Sequence, residues 1–181
     1  MRMYLAGFMA SGKSTVGPKV ADRLGLNFRD LDAIIEASAG RTIPEIFAEE
    51  GEMGFRQRET RALWDTADWE DVVVALGGGT IVDDANRAFA KEKGLLVYLQ
   101  VPPETIVERV AEEAAHRPLL QDDQGEPLAP PAMRQRIERM LSERRSAYEQ
   151  AHVTVDAARP PDTLAEILAE IAEVWTRTRS S

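Results

Sequence analysis

Short apolar runs alternate with longer amphipathic stretches along the chain, and this alternation suggests an architecture before any single residue is weighed. Five runs read as strands: Met3–Ala6, Leu26–Asp30, Val72–Leu76, Leu95–Leu99 and His152–Val155. Helical periodicity falls between them at about Lys13–Leu24, Leu31–Ala39, Ile43–Glu50, Glu52–Ala67, Asp84–Glu92, Pro103–Glu113 and Pro131–Gln150. A last helix, about Asp162–Thr176, puts Leu164, Ile167, Leu168, Ile171 and Trp175 on one face, a core stripe that carries no chemistry. Strands spaced by helices predict an α/β domain with a parallel sheet. Pro18 lies beyond the first turn of its helix, where a missing N–H predicts a bend. One stretch breaks the rhythm: Gln121–Pro131, QDDQGEPLAPP, is rich in acids, Gly and Pro. Inside a compact domain such a stretch is a functional lid or is disordered, and its place just after Arg117-Pro118-Leu119-Leu120 favours the lid.

The 181 residues suit one domain, and 44% apolar with 29% charged residues is ordinary for a globular chain. No apolar run approaches the roughly 18 residues of a membrane span, and the opening MRMYLAGF enters a strand pattern directly, which predicts no signal peptide. The chain has no cysteine, so disulfides, thiolate metal sites and thiol nucleophiles are excluded, in keeping with a cytoplasmic location. Two histidines, His116 and His152, are too few for a zinc cluster. The formal net charge of −9 argues against nucleic acid and anionic membranes as partners. If the substrates are themselves anionic, individual arginines must supply the attraction locally.

The first such place is Gly7-Phe8-Met9-Ala10-Ser11-Gly12-Lys13-Ser14, a complete G-x-x-x-x-G-K-[ST] that follows a strand and opens a helix. A loop of this kind turns successive N–H groups toward one phosphate, and the helix N-terminus adds its partial positive charge. Ala10, Ser11, Gly12, Lys13, Ser14 and Thr15 are therefore candidate ATP-binding residues, with Lys13 on the β- and γ-phosphates and Ser14 on Mg²⁺. The alternative is a Gly-rich turn that binds nothing. A GTPase is disfavoured, because no N-K-x-D guanine signature occurs.

The acceptor must be sought elsewhere on the same sheet edge, where the carboxyl ends of parallel strands place ligands. Asp30 and Asp32 lie where the second strand runs out; Asp30 can hold a water of the metal shell, and Asp32 can accept a hydrogen bond from an attacking hydroxyl. An N-cap with a first-turn acid would explain both as well. Arg56 and Glu59 share a helix face three residues apart, an arrangement in which the acid can orient an arginine that grips a carboxylate, or a plain solvated pair. Gly77, Gly78 and Gly79 at a strand end would let backbone approach a ligand closely. Arg144 falls on the apolar stripe marked by Ile137, Met140, Leu141, Ala147 and Tyr148, where a charge must be paired or face a polar cavity; Arg136, Arg139 and Arg145 lie off it.

Taken in order, the segments GFMASGKST, FRDLD, IFAEEGEMGFRQRE, ALGGG, VYL, RPLL and RRSAY resemble the shikimate kinase family over nearly the whole chain. The resemblance implies a P-loop NTPase-type three-layer sandwich: a five-stranded parallel sheet of order 2-3-1-4-5, helices on both faces, and a lid. Residues 1–181 would form a single kinase domain, with an acceptor-binding region over about Leu31–Arg61 and a lid over about 114–131. It implies ATP and shikimate as substrates, Mg²⁺ as cofactor and a monomer. Lys13, Asp32 and Arg117 would be catalytic, Arg117 being the lid arginine on the phosphates. Ser14 and Asp30 would serve the metal. Asp32, Arg56, Glu59, Gly77, Gly78, Gly79 and Arg144 would serve shikimate, with Phe47 and Phe55 walling the apolar side of its ring. Arg109 and the Arg159-Pro160-Pro161 segment would sandwich adenine. The chain departs from the family in carrying Arg144-Arg145-Ser146-Ala147-Tyr148 where R-x-P-L-Y is usual, in a long Arg117–Arg144 stretch, and at Pro18. Competing readings are another small P-loop kinase, acting on gluconate or adenylylsulfate, and a non-catalytic nucleotide-binding module.

Overall fold

The computed structural model describes residues 1–110, 117–122 and 124–179. Within these, β1 (Arg2–Ala6), β2 (Asn27–Asp30), β3 (Val72–Ala75), β4 (Leu95–Gln100) and β5 (Val153–Asp156) form one sheet, ordered β2-β3-β1-β4-β5 with every pairing parallel. The helices are α1 (Lys13–Leu24), α2 (Leu31–Ala39), α3 (Ile43–Trp64), α4 (Asp84–Lys93), α5 (Pro103–Val110), α6 (Pro130–Tyr148) and α7 (Pro161–Arg179). This is the order and layering that the resemblance implied. No helix among the described residues is long and apolar enough to cross a membrane.

Central strand β1 shows how the layers arise. Met3 and Leu5 point to one cluster, with Val16 and Val20 of α1, Ile137 of α6, and Leu164 and Leu168 of α7. Tyr4 and Ala6 point to the other, with Ile35 of α2, Ile46 and Leu63 of α3, and Ala90 of α4. A strand whose alternate residues are apolar on both sides can only be buried on both, and helices cover both faces.

Helix starts follow from short polar side chains that take up orphan N–H groups. Asp30 caps α2 through the Asp32 amide at 3.0 Å, Asp83 caps α4 through the Asn86 amide at 2.9 Å, and Thr42 with Glu45 forms a capping box on α3. The helical segments predicted on either side of Gly51 meet there in one bent helix, since Gly51 holds φ 69° and ψ −178°. The second segment turns into a 3-10 turn over Asp65–Asp68, three residues before its predicted end at Ala67.

Helix α1 continues through Pro18 as one helix, Lys13–Leu24. Pro18 and Ser14 are both exposed, so water can satisfy the Ser14 carbonyl that the proline leaves without its donor. The acidic stretch after Leu120 contains a hydrogen-bonded turn. Asp122 N donates to the Glu126 carbonyl at 2.9 Å, and Asp122 Oδ1 accepts from the amides of Gln124 and Glu126 at 2.9 and 3.0 Å. The Leu128 amide closes the turn on the Leu120 carbonyl at 3.0 Å, and Leu120 is fully buried. A short acid has replaced missing backbone partners, which folds the insertion onto itself. Residues 111–116 and 123, which include His116, the end of the helix expected over Pro103–Glu113 and part of the expected lid, lie outside the described residues.

Gly17 sits where α1 crosses β2, and a Cβ there would run into the Phe28 ring. Alanine would gain about 1 kcal/mol in helix propensity, but overpacking against a ring costs about 1–3 kcal/mol. Gly17→Ala should therefore lower stability in urea titration. In a Phe28→Ala background the same change should be neutral or stabilising.

Candidate active site

Six residues carry the chain from the end of β1 at Ala6 to the start of α1 at Lys13, and their backbone makes a cradle. Gly7 has φ 154°, and a Cβ there would come within 2.7 Å of Ser11 Oγ and 2.8 Å of the Leu99 carbonyl on neighbouring β4. Gly12 has φ 93°, and Ala10 holds φ 55°, a left-handed conformation that an alanine adopts at a cost. Lys13 is nearly buried, and its ammonium donates to the Gly7 and Phe8 carbonyls at 2.9 and 3.0 Å and to Ser11 Oγ at 3.3 Å. Burial lowers its pKa to about 8, against the opposing pull of the Asp32 and Asp30 carboxylates. Ser14 Oγ donates to Asp30 Oδ2 at 2.5 Å, while the other Asp30 oxygen caps α2. The N-cap reading of Asp30 thus holds, and its second oxygen is turned to Ser14.

The cradle floors a cavity of about 740 Å³ bordered by Ala10, Ser11, Gly12, Lys13, Ser14, Thr15, Asp30, Arg109, Arg117 and Arg159. Arg109 reaches in from α5 and donates to the Ala10 carbonyl at 3.0 Å. Of the residues read as ATP- or metal-binding from the sequence, all but Pro160 border this one space. A second cavity of about 490 Å³ lies against α2 and α3, bordered by Phe47, Phe55, Arg56, Glu59, Pro118 and Leu119. Phe47 and Phe55 face each other with ring centroids 4.8 Å apart. Met9, Asp32, Glu36, Gly78 and Arg117 border both cavities.

Asp32 stands at that junction. The residue is partly exposed, yet its Oδ1 is buried and has no hydrogen-bond partner among the described residues. Its pKa is pushed up to about 6, first by burial and then by the Glu59 and Asp30 carboxylates, with Lys13 acting against them. Glu59 is buried; its Oε1 accepts from Thr80 Oγ1 at 2.9 Å and its Oε2 from Arg56 Nη1. Arg56 and Glu59 are therefore no solvated surface pair.

The three glycines differ in what surrounds them. A Cβ on Gly77 would strike the Glu59 carboxylate, and one on Gly79 would strike the Arg56 guanidinium. Their smallness makes room for protein side chains, and only Gly78 borders the cavities. Gly78 offers its carbonyl to Tyr148 Oη at 2.5 Å and to Arg144 Nη1 at 3.2 Å. Arg144 lies half-buried with its guanidinium 5.5 Å from the Phe8 ring centroid, and Arg145 is exposed, as the stripe predicts. Arg144 borders neither cavity and reaches them through Gly78. Burial pushes the Tyr148 phenol up to about 12, so it remains a donor.

Sequence reasoning missed Glu36, Met9, Thr80 and Asn86. Glu36 had a signal, since it lies one turn after Asp32 on the same face of α2; its Oε1 accepts from the Ile43 amide at 2.8 Å. The other three show nothing in the local pattern.

A phosphate cradle at the end of a central strand, opening into a second cavity across a shared acid and arginine, defines a P-loop phosphotransferase for a small acceptor. The model of the shikimate kinase family matches residues 9–175. The shikimate kinase of Salinibacter ruber is 57% identical over 176 residues, covering 97% of this chain and 85% of that protein. That of Chlorobium chlorochromatii is 40% identical over 178 residues, covering 97% and 93%. The structure of shikimate kinase from Acinetobacter baumannii in complex with shikimate is similar at a TM-score of 0.85 and 37% identity, covering 94% of this chain and 91% of that one. The chain belongs to the shikimate kinase family.

The glycine division is directly testable. Gly77→Ala should displace a Glu59 carboxylate that cannot leave Thr80 and Arg56 without being stranded, with a stability loss of about 1–3 kcal/mol. Gly78→Ala, whose Cβ would come no closer than 3.4 Å to the Met9 amide, should melt close to the parent chain.

Proposed function

We propose that this chain transfers the γ-phosphoryl group of ATP to a hydroxyl of shikimate, releasing ADP and shikimate 3-phosphate. The observation that carries the reading is the pair of cavities that meet at Asp32 and Arg117. A donor in one and an acceptor in the other would bring their reacting atoms together at that wall, and phosphoryl transfer asks a protein mainly for such positioning and for charge stabilisation.

ATP occupies the larger cavity. The amides of the cradle and the N-terminus of α1 bind its phosphates, and Lys13 exchanges the Gly7 and Phe8 carbonyls for phosphate oxygens. Arg109 and Arg159 flank the adenine end. Ser14 Oγ and the Asp30 carboxylate are hard oxygen donors beside that N-terminus and fit Mg²⁺, Ser14 directly and Asp30 through a water. When bound, the ion neutralises charge on the β- and γ-phosphates. Among the described residues no cluster of three acids or histidines is placed to hold a metal, so most of the ion's ligands would come from nucleotide and water.

Shikimate occupies the smaller cavity, with its carboxylate on Arg56, its apolar ring face against Phe47 and Phe55, and Arg144 bracing the wall at Gly78. Asp32 orients the attacking hydroxyl through the Oδ1 lone pairs that no donor among the described residues occupies. As the hydroxyl oxygen bonds to Pγ, the bond from Pγ to the bridging oxygen breaks and its electron pair leaves with ADP. The hydroxyl proton passes to Asp32. Arg117, at the junction, offsets charge on the transferring group. We also propose a cytoplasmic monomer acting on these two small molecules, without nucleic acid or membrane, in keeping with the net charge of −9 and the lack of cysteine.

A coupled ADP-release assay with shikimate, gluconate and adenylylsulfate tests the reading. Turnover should require shikimate; faster turnover with either of the others, or acceptor-independent ADP release at the same rate, would overturn it. In the same assay Asp32→Asn should lower kcat by roughly 10²–10⁴-fold, the range for losing a general base. Its ATP affinity, read by calorimetry, should stay near the parent value; a large fall would assign this carboxylate to the metal instead.

A further inference from the structure

Glu59 holds Arg56, and something must hold Glu59. The two oxygens of this buried carboxylate have different partners: Arg56 Nη1 donates to Oε2, and Thr80 Oγ1 donates to Oε1 at 2.9 Å. Thr80 is 1% exposed and lies just beyond the three glycines, on a different element from the helix that carries Arg56 and Glu59. Asn86, 2% exposed on α4, fixes its backbone: Nδ2 donates to the Thr80 carbonyl at 3.1 Å and to Thr60 Oγ1 at 2.9 Å, while Oδ1 accepts from Trp64 Nε1 at 3.2 Å. Both N–H donors of that amide and one lone pair of its oxygen are used. Thr60 and Trp64 belong to α3, so Asn86 sets Thr80 in register with the helix whose carboxylate it meets.

We propose that Thr80 is a positioning residue that keeps the Arg56 guanidinium turned toward the acceptor cavity. The reason is a competition for Glu59. A guanidinium beside a free carboxylate favours two parallel N–H···O bonds. By engaging Oε1, the Thr80 hydroxyl competes with Arg56 for that oxygen; Arg56 makes one bond with Glu59 and a second from Nη2 to Glu52 Oε1 at 2.9 Å, and its remaining N–H donors are left for an anionic ligand. Without that hydroxyl, Arg56 swings to take both oxygens and turns away from the cavity it borders. The proposal rests on the reading that the acceptor's carboxylate is bound by Arg56.

Thr80→Val removes the hydroxyl while keeping the branched shape. It should raise the KM for shikimate by roughly tenfold, equivalent to about 1.4 kcal/mol, with the KM for ATP within about twofold of the parent. Thr80→Ser, which restores the donor, should return the shikimate KM to the parent value. The Val penalty should vanish for an acceptor analogue whose carboxylate is replaced by a hydroxymethyl group, a readout that a purely structural role would leave unchanged. Should Thr80→Val not fold, Thr80→Ala and Thr80→Ser are compared in the same way. An unchanged shikimate KM in the Val or Ala variant, an equal rise in both KM values, or a penalty that persists with the analogue would overturn the role of Thr80 while leaving the functional reading intact. Absence of saturable shikimate turnover in the parent chain would overturn both.

Discussion

A carboxylate taken almost entirely out of water organises the acceptor side of this protein. Glu59 has to be compensated where it lies, because removing a carboxylate from solvent costs several kcal/mol unless each oxygen finds a donor. Arg56 supplies one donor and Thr80 the other, and the requirement spreads outward from there. The chain beside Glu59 can carry no side chain at Gly77, and the space taken by Arg56 forbids one at Gly79. The same negative charge raises the pKa of Asp32 and so helps to distinguish it from an ordinary solvated aspartate.

The carbonyl of Gly78 does on the other side of the loop what Glu59 does on this one. Two donors from α6, Tyr148 and Arg144, converge on it and tie the end of a central strand to a helix in the opposite half of the sequence. The loop is thus clamped between α3 and α6, and it forms the floor at which both cavities meet. Precision at this point comes from rigid elements, since neither clamp depends on a flexible segment.

Net charge and site charge also separate clearly. A chain of net charge −9 repels anions at a distance, yet four arginines, Arg56, Arg109, Arg117 and Arg159, border the two cavities together with Lys13. Acids at the same walls, Asp30, Asp32, Glu36 and Glu59, keep the local sum modest. Such mixing suits a site that must accept anions and let a more highly charged product leave.

Much of this was legible in the sequence, and the boundary has a physical cause. The sheet, its flanking helices, the interruption at Gly51 and the phosphate cradle could be read because each depends on residues adjacent in the chain: period-two burial in β1, caps beside α2 and α3, and a loop that acts through its own backbone. Arg144 could be told from Arg145 for the same reason, since helical periodicity is local. The purpose of Gly77 and Gly79 could not be read, because what fills their missing side-chain space is Glu59 and Arg56, some twenty residues earlier on another element. Thr80 and Asn86 look like any loop threonine and helix asparagine until α4 is laid against α3. Local chemistry was determined by the sequence, because it rests on neighbours along the chain; which buried polar group answers which other was decided only by tertiary packing, because desolvation acts on neighbours in space.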